Sequence, residues 1–263
     1  MVIPNKVKKI WDNAFLYIRV NDLIVPYGVE EIGDSAFSSL YIKNDVSLPK
    51  SINKLGINVF GKQSLDNSDG FVYARNEDGT IDKSILMAYR AYLSDDILII
   101  PEGVVEIREN VFGSSYNLDV VKLPSSLIKI GDSAFKSSGI NEIILPTDLI
   151  EIGDNAFSQN YITELEIPSS VKFIGENAFY NNYGLSKVTL NEGISKIGSN
   201  AFSGSYSLRD TINIPSSVRE IGENAFGNYL SKVYILGKKN IDDFDKLGNN
   251  PFGNALEIIY ELS

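Results

Sequence analysis

The sequence predicts a repeat solenoid, built mainly of short β-strands joined by single helical or 3-10 turns, with one inserted β-hairpin. Three observations predict it. The phrase Ile-Gly-Glu-Asn-Ala-Phe occurs at 174–179 and again at 221–226, and close variants end at Phe15, Phe37, Phe60, Phe112, Phe135, Phe157 and Phe202. Its steps are regular: 22 and 23 residues from Phe15 to Phe60, then 23, 22, 22, 23 and 24 from Phe112 to Phe226. A fixed period of this size marks units that cannot bury an apolar side alone and must stack on their neighbours. The one irregular step, 52 residues from Phe60 to Phe112, is an ordinary repeat plus an insertion of about 30 residues.

Each unit reads in four parts. First comes a short strand, such as Ile162-Thr-Glu-Leu165-Glu-Ile167, whose second half alternates apolar with polar as a strand buried on one face should. A corner follows, opened by Pro26, Pro49, Pro101, Pro124, Pro146, Pro168 or Pro215. Proline ends a strand because it cannot donate to the ladder. Third is a pattern such as Val171-Lys-Phe-Ile174-Gly175, read as a short second strand. Trp11 and Arg108 replace the Gly, so a positive φ is not obligatory there, and these two side chains are expected to point outward. Fourth is Asp/Glu-Asn/Ser-Ala-Phe, which suits the N-terminus of a single helical turn, with Phe pointing inward to form an aromatic spine.

The insertion spans about 61–97. Phe71-Val-Tyr-Ala74 and Ser84-Ile-Leu-Met-Ala-Tyr89 are strand-like, and Asn76-Glu-Asp-Gly79 between them is turn chemistry. The expectation is a hairpin projecting from one edge of the solenoid and removable without unfolding it. A degenerate terminal turn is expected over about 237–263.

Composition bounds the function. The chain has 263 residues, 43% of them hydrophobic, enough for a sizeable core. The period makes 1–263 one elongated domain of about ten turns. The net charge of −10 without a basic cluster argues against nucleic acid and anionic membranes as partners, and no apolar run could insert into a bilayer. Cys and His are absent, which removes thiolate and imidazole nucleophiles, Cys/His zinc sites and disulfides. No cofactor, metal or catalytic residue is expected. Ile3-Pro4 already sits in the pattern, so the chain is expected to enter in mid-repeat as a piece of something longer, with no signal peptide of its own.

The residues quoted above resemble the BspA-type, or Treponema pallidum-type, leucine-rich repeat. The match is clearest in Ile-Pro-Ser-Ser-Val-x-x-Ile-Gly-Glu-Asn-Ala-Phe at 167–179 and 214–226, and it covers nearly the whole chain. The inserted stretch also looks like an insertion common in such proteins. The resemblance implies a right-handed, curved solenoid with a parallel sheet on its concave face. It implies a cell-surface or secreted, adhesion-associated protein that binds host or neighbouring-cell proteins. It offers no catalytic residues. The family's frequent Cys, three residues after the Phe, is replaced here by residues such as Ser115, Asn160, Asn182 and Ser205.

Candidate contact residues fall into two rows. Asp22, Asp45, Asp96, Asp119, Glu142 and Glu164 lie four or five residues before the Pro slot and are expected to face outward in one strand row, continued by Lys187 and Lys232. Glu166 belongs to a neighbouring variable row with Ile24, Ser47, Lys122, Ile144, Thr189 and Asn213. Tyr41, Tyr116, Tyr161, Tyr183 and Tyr206 recur four residues after the Phe. They are read either as a stack along one edge or as contact material for protein or sugar. The corner set Asn13, Asn155, Asn177, Asn200 and Asn224 and the acids Asp34, Asp132, Asp154, Glu176 and Glu223 are read as caps. Paired carboxylates could suggest a glycosidase, but these are serial copies rather than a unique pair. The Asp/Asn-rich stretches 66–70 and 76–79 lack the spacing of a calcium loop. The leading expectation is a non-enzymatic protein-binding module, adhesin-like, with a protein ligand and a glycan as a possible one. The alternatives are a structural spacer within a larger surface protein and a carbohydrate-binding or carbohydrate-active solenoid.

Overall fold

The structure, a computed structural model, describes residues 1–15, 17–62, 69–91, 97–115 and 118–262. It is a β-solenoid of about ten coils with almost no helix. One coil serves for all. Glu164–Ile167 forms a first-row strand with alternate residues buried, Pro168 turns the corner, and Phe173–Ile174 forms a second-row strand. A tight corner then carries Ala178 and Phe179 inward. Successive first-row strands pair in parallel, as in Glu164↔Lys187 and Val120↔Glu142, and so do successive second-row strands, as in Glu151↔Phe173↔Lys196. On the rows, each amide donates back to the preceding coil, for example Gly175 N to Ile152 O at 2.8 Å. At the corner the direction reverses: Phe157 N donates forward to Ala178 O at 2.7 Å. Backbone ladders thus close each coil on its neighbours from three sides.

The corner is not a helical turn. Asn13, Asn155, Asn177, Asn200 and Asn224 all have φ between 51 and 56°, the left-handed region. The bond from Ala178 N to Gly175 O puts Asn177 at the third position of a β-turn, where positive φ is required. Asn and Ser fill this slot because their short polar side chains tolerate it better than others do. In the five coils from Phe112 to Phe202 a second left-handed position follows two residues after the Phe, at Ser114, Ser137, Gln159, Asn181 and Gly204. Three of the corner acids, Asp34, Asp132 and Asp154, are not caps of their own turn either. Asp132 Oδ1 accepts from Asp154 N at 2.8 Å, and Asp154 Oδ1 from Glu176 N at 2.7 Å, so each ties its coil to the next.

The conserved-looking Gly of the third part serves close approach rather than φ. A Cβ on Gly153 would lie 2.5 Å from Asp132 Oδ1, and one on Gly175 would lie 2.5 Å from the carbonyl carbon of Gly153. Trp11 escapes this because it belongs to the first coil, and it is 68% exposed. Arg108 is not directed out to solvent as expected. It is mostly buried, and its Nη2 donates to Ile52 O at 3.3 Å, across the seam made by the insertion.

The Phe side chains form the expected spine. Phe112, Phe135, Phe157, Phe179 and Phe202 are fully buried, with ring centroids 5.0, 5.2, 5.4 and 5.4 Å apart and planes within 9° of parallel. The spine extends to Phe252 in the irregular terminal coil. Three residues beyond the Phe lies a buried polar slot. Asn182 Nδ2 donates to Phe157 O and Phe179 O, both at 2.9 Å, and its Oδ1 accepts from Ile162 N at 3.2 Å. Asn160 makes the equivalent bonds. Among the described residues the hydroxyls of Ser115 and Ser205 in the same slot reach no partner.

The hairpin departs from expectation. It does not project from an edge; it lies within a ten-stranded sheet. Phe71–Arg75 pairs in parallel with Ser47–Pro49, a first-row strand, and antiparallel with Ile81–Tyr89, through a register shift. Ile81–Tyr89 then pairs in parallel with Glu106–Ile107, a second-row strand. The hairpin therefore joins one side of the N-terminal stack to a different side of the C-terminal stack. Its alternate residues feed separate cores: Val72, Ala74, Met87 and Ala88 pack with the N-terminal coils, whereas Leu86 and Tyr89 pack with the C-terminal ones. Tyr89 continues the spine to Phe112 at 5.3 Å. Arg90, fully buried, donates to Ile42 O and Asn44 O, and Lys50 pairs with Asp82 at 2.5 Å. Excising the hairpin would open both cores to water, which overturns the expectation that it can be removed.

Two predictions follow from these contacts. Phe37→Ala and Phe179→Ala should each cost about 3–5 kcal/mol. Because the hairpin divides the core, each should shift a different step of calorimetric or hydrogen-exchange unfolding. If both variants lower one shared transition equally, the two stacks are not separate units. Ser205→Cys replaces an orphaned hydroxyl with a thiol that tolerates burial, and should stabilise by about 1 kcal/mol. A lower melting temperature would mean that the hydroxyl has a partner in solution.

Candidate interaction surface

The two rows present different outer faces. In the second row the outward side chains alternate in sign from coil to coil. They run Glu106, Lys129, Glu151, Phe173, Lys196, Glu220 and Lys246 in consecutive register, and Lys9, Glu31 and Lys54 in the N-terminal stack. Lys129 lies 3.1 Å from Glu151, and Lys196 3.7 Å from Glu220. Lys9, hydrogen-bonded to Glu31 at 2.6 Å, lowers that carboxyl's pKa. This face satisfies its own charge.

The first row does not. Its outward residues form two columns. One contains Ile97, Val120 and Glu142, and further along Glu164 opposite Lys187. The other contains Ile99 and Lys122, and further along Glu166 opposite Thr189 and Asn213 opposite Tyr234. Ile144, two residues beyond Glu142 on its coil, continues the second column between Lys122 and Glu166. Ile99 is 62% exposed and Ile144 77%. A groove of about 450 Å³ runs between Val120–Leu123 and Glu142–Thr147, with Glu102 and Ser125 at one end.

The acidic residues expected in one row separate into two. Glu142 is in register with Val120, so Asp119 stands opposite Asn141 instead. There its carboxylate accepts from the Asn141 amide, and Asp22 accepts likewise from Asn44 at 2.7 Å. The row mixed two positions because it admitted residues four or five before the Pro: Glu142 is four before Pro146 and Asp119 five before Pro124, and a one-residue slip changes the face. Asp45 lies 3.8 Å from buried Arg90, and Glu164 lies 3.7 Å from Lys187. Glu166 accepts from Asn191 at 3.1 Å. Among the described residues Glu142 has no ion pair. Asp96 and Tyr116 lie outside the described residues.

Tyr41, Tyr161, Tyr183 and Tyr206 are exposed. Tyr183 and Tyr206 stack at 5.4 Å, and Tyr206 meets Tyr229 edge-on at 5.1 Å. Tyr229 was missed because it follows its Phe by three residues rather than four. Tyr41 lies under the Arg19 guanidinium at 5.6 Å, whereas Tyr161 has no ring contact among the described residues. In the hairpin turn, Asp78 accepts from Thr80 N at 2.9 Å and Thr80 Oγ1 at 2.7 Å, so its carboxylate serves the turn.

Parallel short strands on successive coils, an inward apolar ladder and a varied outer face define a leucine-rich-repeat solenoid. The family model of the BspA-type leucine-rich repeat region matches residues 1–69 and 97–255 in six copies, and the chain belongs to that family. The unmatched interval contains the hairpin. A leucine-rich repeat protein of Bacteroides ovatus superposes with a TM-score of 0.50 at 22% identity, over 96% of this chain and 69% of its own. The pneumococcal vaccine antigen PcpA superposes with a TM-score of 0.54 at 22% identity, over 98% of this chain and 78% of its own. At this identity the likeness is one of fold. Among curated proteins none matches the chain in sequence.

The self-pairing of the second row makes a prediction. Glu220→Lys sets a third like charge between Lys196 and Lys246, and should lower stability by about 0.5–1 kcal/mol at low salt. Thermal melts at about 1 M salt should recover most of the loss, because exposed charges are screened. A loss of equal size at both salt concentrations would show that the alternation is not electrostatic.

Proposed function

We propose that the chain is a non-enzymatic, adhesin-like protein-binding module of a cell-surface or secreted protein, and that it binds through the outer face of its first row. The observation that carries this reading is the contrast between the rows. The second row alternates in sign and neutralises itself, whereas the first row changes residue type from coil to coil and leaves apolar and acidic groups open to a partner. A rigid backbone with varied outward side chains is what recognition needs. Its acidic members, among them Asp22, Asp45, Asp119, Glu142, Glu164 and Glu166, favour a partner with a basic patch. The exposed tyrosines Tyr161, Tyr183 and Tyr206 would border the contact. Membership of the family and the likeness to a pneumococcal antigen support placement at the cell surface.

The test is binding to immobilised matrix proteins (a collagen, a laminin and a fibronectin) at low and raised salt. Saturable, salt-sensitive binding is expected, because surface charges steer association and are screened. Glu142→Lys with Glu166→Lys should weaken it about tenfold, roughly 1.4 kcal/mol, with melting unchanged. Glu77→Lys with Glu176→Lys changes the net charge equally away from this face and should leave binding intact. No binding to any panel member would favour the spacer reading. Equal loss from both pairs would move the contact elsewhere.

A further inference from the structure

We infer that the groove between Val120–Leu123 and Glu142–Thr147 is an anchoring site for a polypeptide segment that presents a branched or aromatic apolar side chain flanked by lysine or arginine. The inference rests on the proposed function and gives its partner a chemistry. Val120, Leu123, Ile143 and Ile144 give the groove its apolar lining. Ile97 and Ile99 stand beside it on outward positions of the preceding coil, and with Ile144 they are exposed. Single exposed apolar residues are ordinary, but several adjoining ones on a flat sheet mark a contact surface.

The spacing suits a peptide. Ile97 and Ile99 are two residues apart on one strand, about 6.8 Å, the same repeat that carries alternate side chains along an extended segment. Ile99 and Ile144 lie two coils apart, about 9.6 Å, and between them the Lys122 stem completes an apolar floor.

Charge selects the partner. Glu102, Glu142 and Lys122 line the groove, Asp119 precedes Val120 on its wall, and Glu164, Glu166 and Lys187 stand on the coils that follow. Glu102 is spent on Ser125 and Asp119 on Asn141, and Glu164 faces Lys187. Glu166 accepts from Asn191, which leaves Glu142 as the member with neither a side-chain hydrogen bond nor an ion pair among the described residues, and it sits on the groove wall beside Ile144. A cationic side chain next to the anchoring residue would complete the pair that the fold leaves open. An acidic or purely polar segment would desolvate Glu142 without return.

The probe is a synthetic octapeptide of alternating lysine and leucine, compared with lysine–serine and glutamate–leucine octapeptides, by calorimetric titration at low salt. The lysine–leucine peptide should bind at least tenfold more tightly than the lysine–serine peptide, and the glutamate–leucine peptide should not bind. Ile99→Ser with Ile144→Ser leaves net charge and buried core untouched, and should remove the preference for leucine while sparing residual lysine–serine binding. Glu142→Gln should weaken both cationic peptides. Equal affinity for the two cationic peptides, or a serine variant that keeps the preference, would overturn the groove. The matrix-protein panel, run on the same variants, separates this from the broader reading. If the serine variant keeps its matrix-protein binding, the groove is wrong and the module stands. If the panel shows no binding while the peptide preference holds, the groove stands and the adhesin reading falls.

Discussion

The distance between coils is the constraint from which most of the structure follows. Backbone bonds on three sides hold each coil against the next, backward along the two strand rows and forward at the corner. At that distance a Cβ at Gly153 or Gly175 would collide with the backbone or corner acid of the preceding coil, so the slot admits no side chain where a regular coil lies beneath it. The same distance brings successive Phe rings to 5.0–5.4 Å and lets the Asn182 amide reach carbonyls of two coils at once. It also places charges on the second row close enough to pair. Core, corner and surface are consequences of one repeated spacing.

The repeat was legible because that spacing imposes the same demand every 22–24 residues. The Phe, the Gly and the Pro report positions where size or backbone shape allows few alternatives. The conformation of the corner was less legible. Asn before Ala-Phe reads equally as a helix cap or as a left-handed residue, and the bond that decides between them, Ala178 to Gly175, is not visible in residue types. The second left-handed position carries Ser, Gln, Asn or Gly, so it gives no residue signature. On the outer face, register was the obstacle. A count of four or five residues back from Pro puts Asp119 and Glu142 together, whereas pairing sets Asp119 beside Asn141.

The hairpin shows a different limit. Its two strands and its turn are local and were readable. Its partners are not local, and nothing in Phe71–Arg75 names Ser47–Pro49 as the strand it joins. The consequence is large: one local unit carries the sheet from a first-row strand to a second-row strand and serves two cores. Where a regular ladder would cross this seam, side chains replace it. Glu109 accepts from Leu55 N and Asn110 donates to Leu55 O, both at 2.8 Å. That accounts for Arg108 in the place of the motif's Gly: the residue answers to the seam rather than to a coil below.

The alternating charges of the second row give the stack a parity. Gain or loss of whole coils is the natural way for a solenoid to change length. In the run from Glu106 to Lys246, losing the coil of Lys129 would bring Glu106 against Glu151, and losing that of Glu220 would bring Lys196 against Lys246. Losing two adjacent charged coils together, Lys129 with Glu151 or Lys196 with Glu220, would avoid the clash. Around Phe173, the one uncharged place in the run, a single coil could leave without a clash: loss of the Phe173 coil would seat Glu151 on Lys196, and loss of either neighbour would seat Phe173 on a single charge. The surface of this row therefore records which changes of length the protein can absorb, one coil around Phe173 and charged pairs elsewhere.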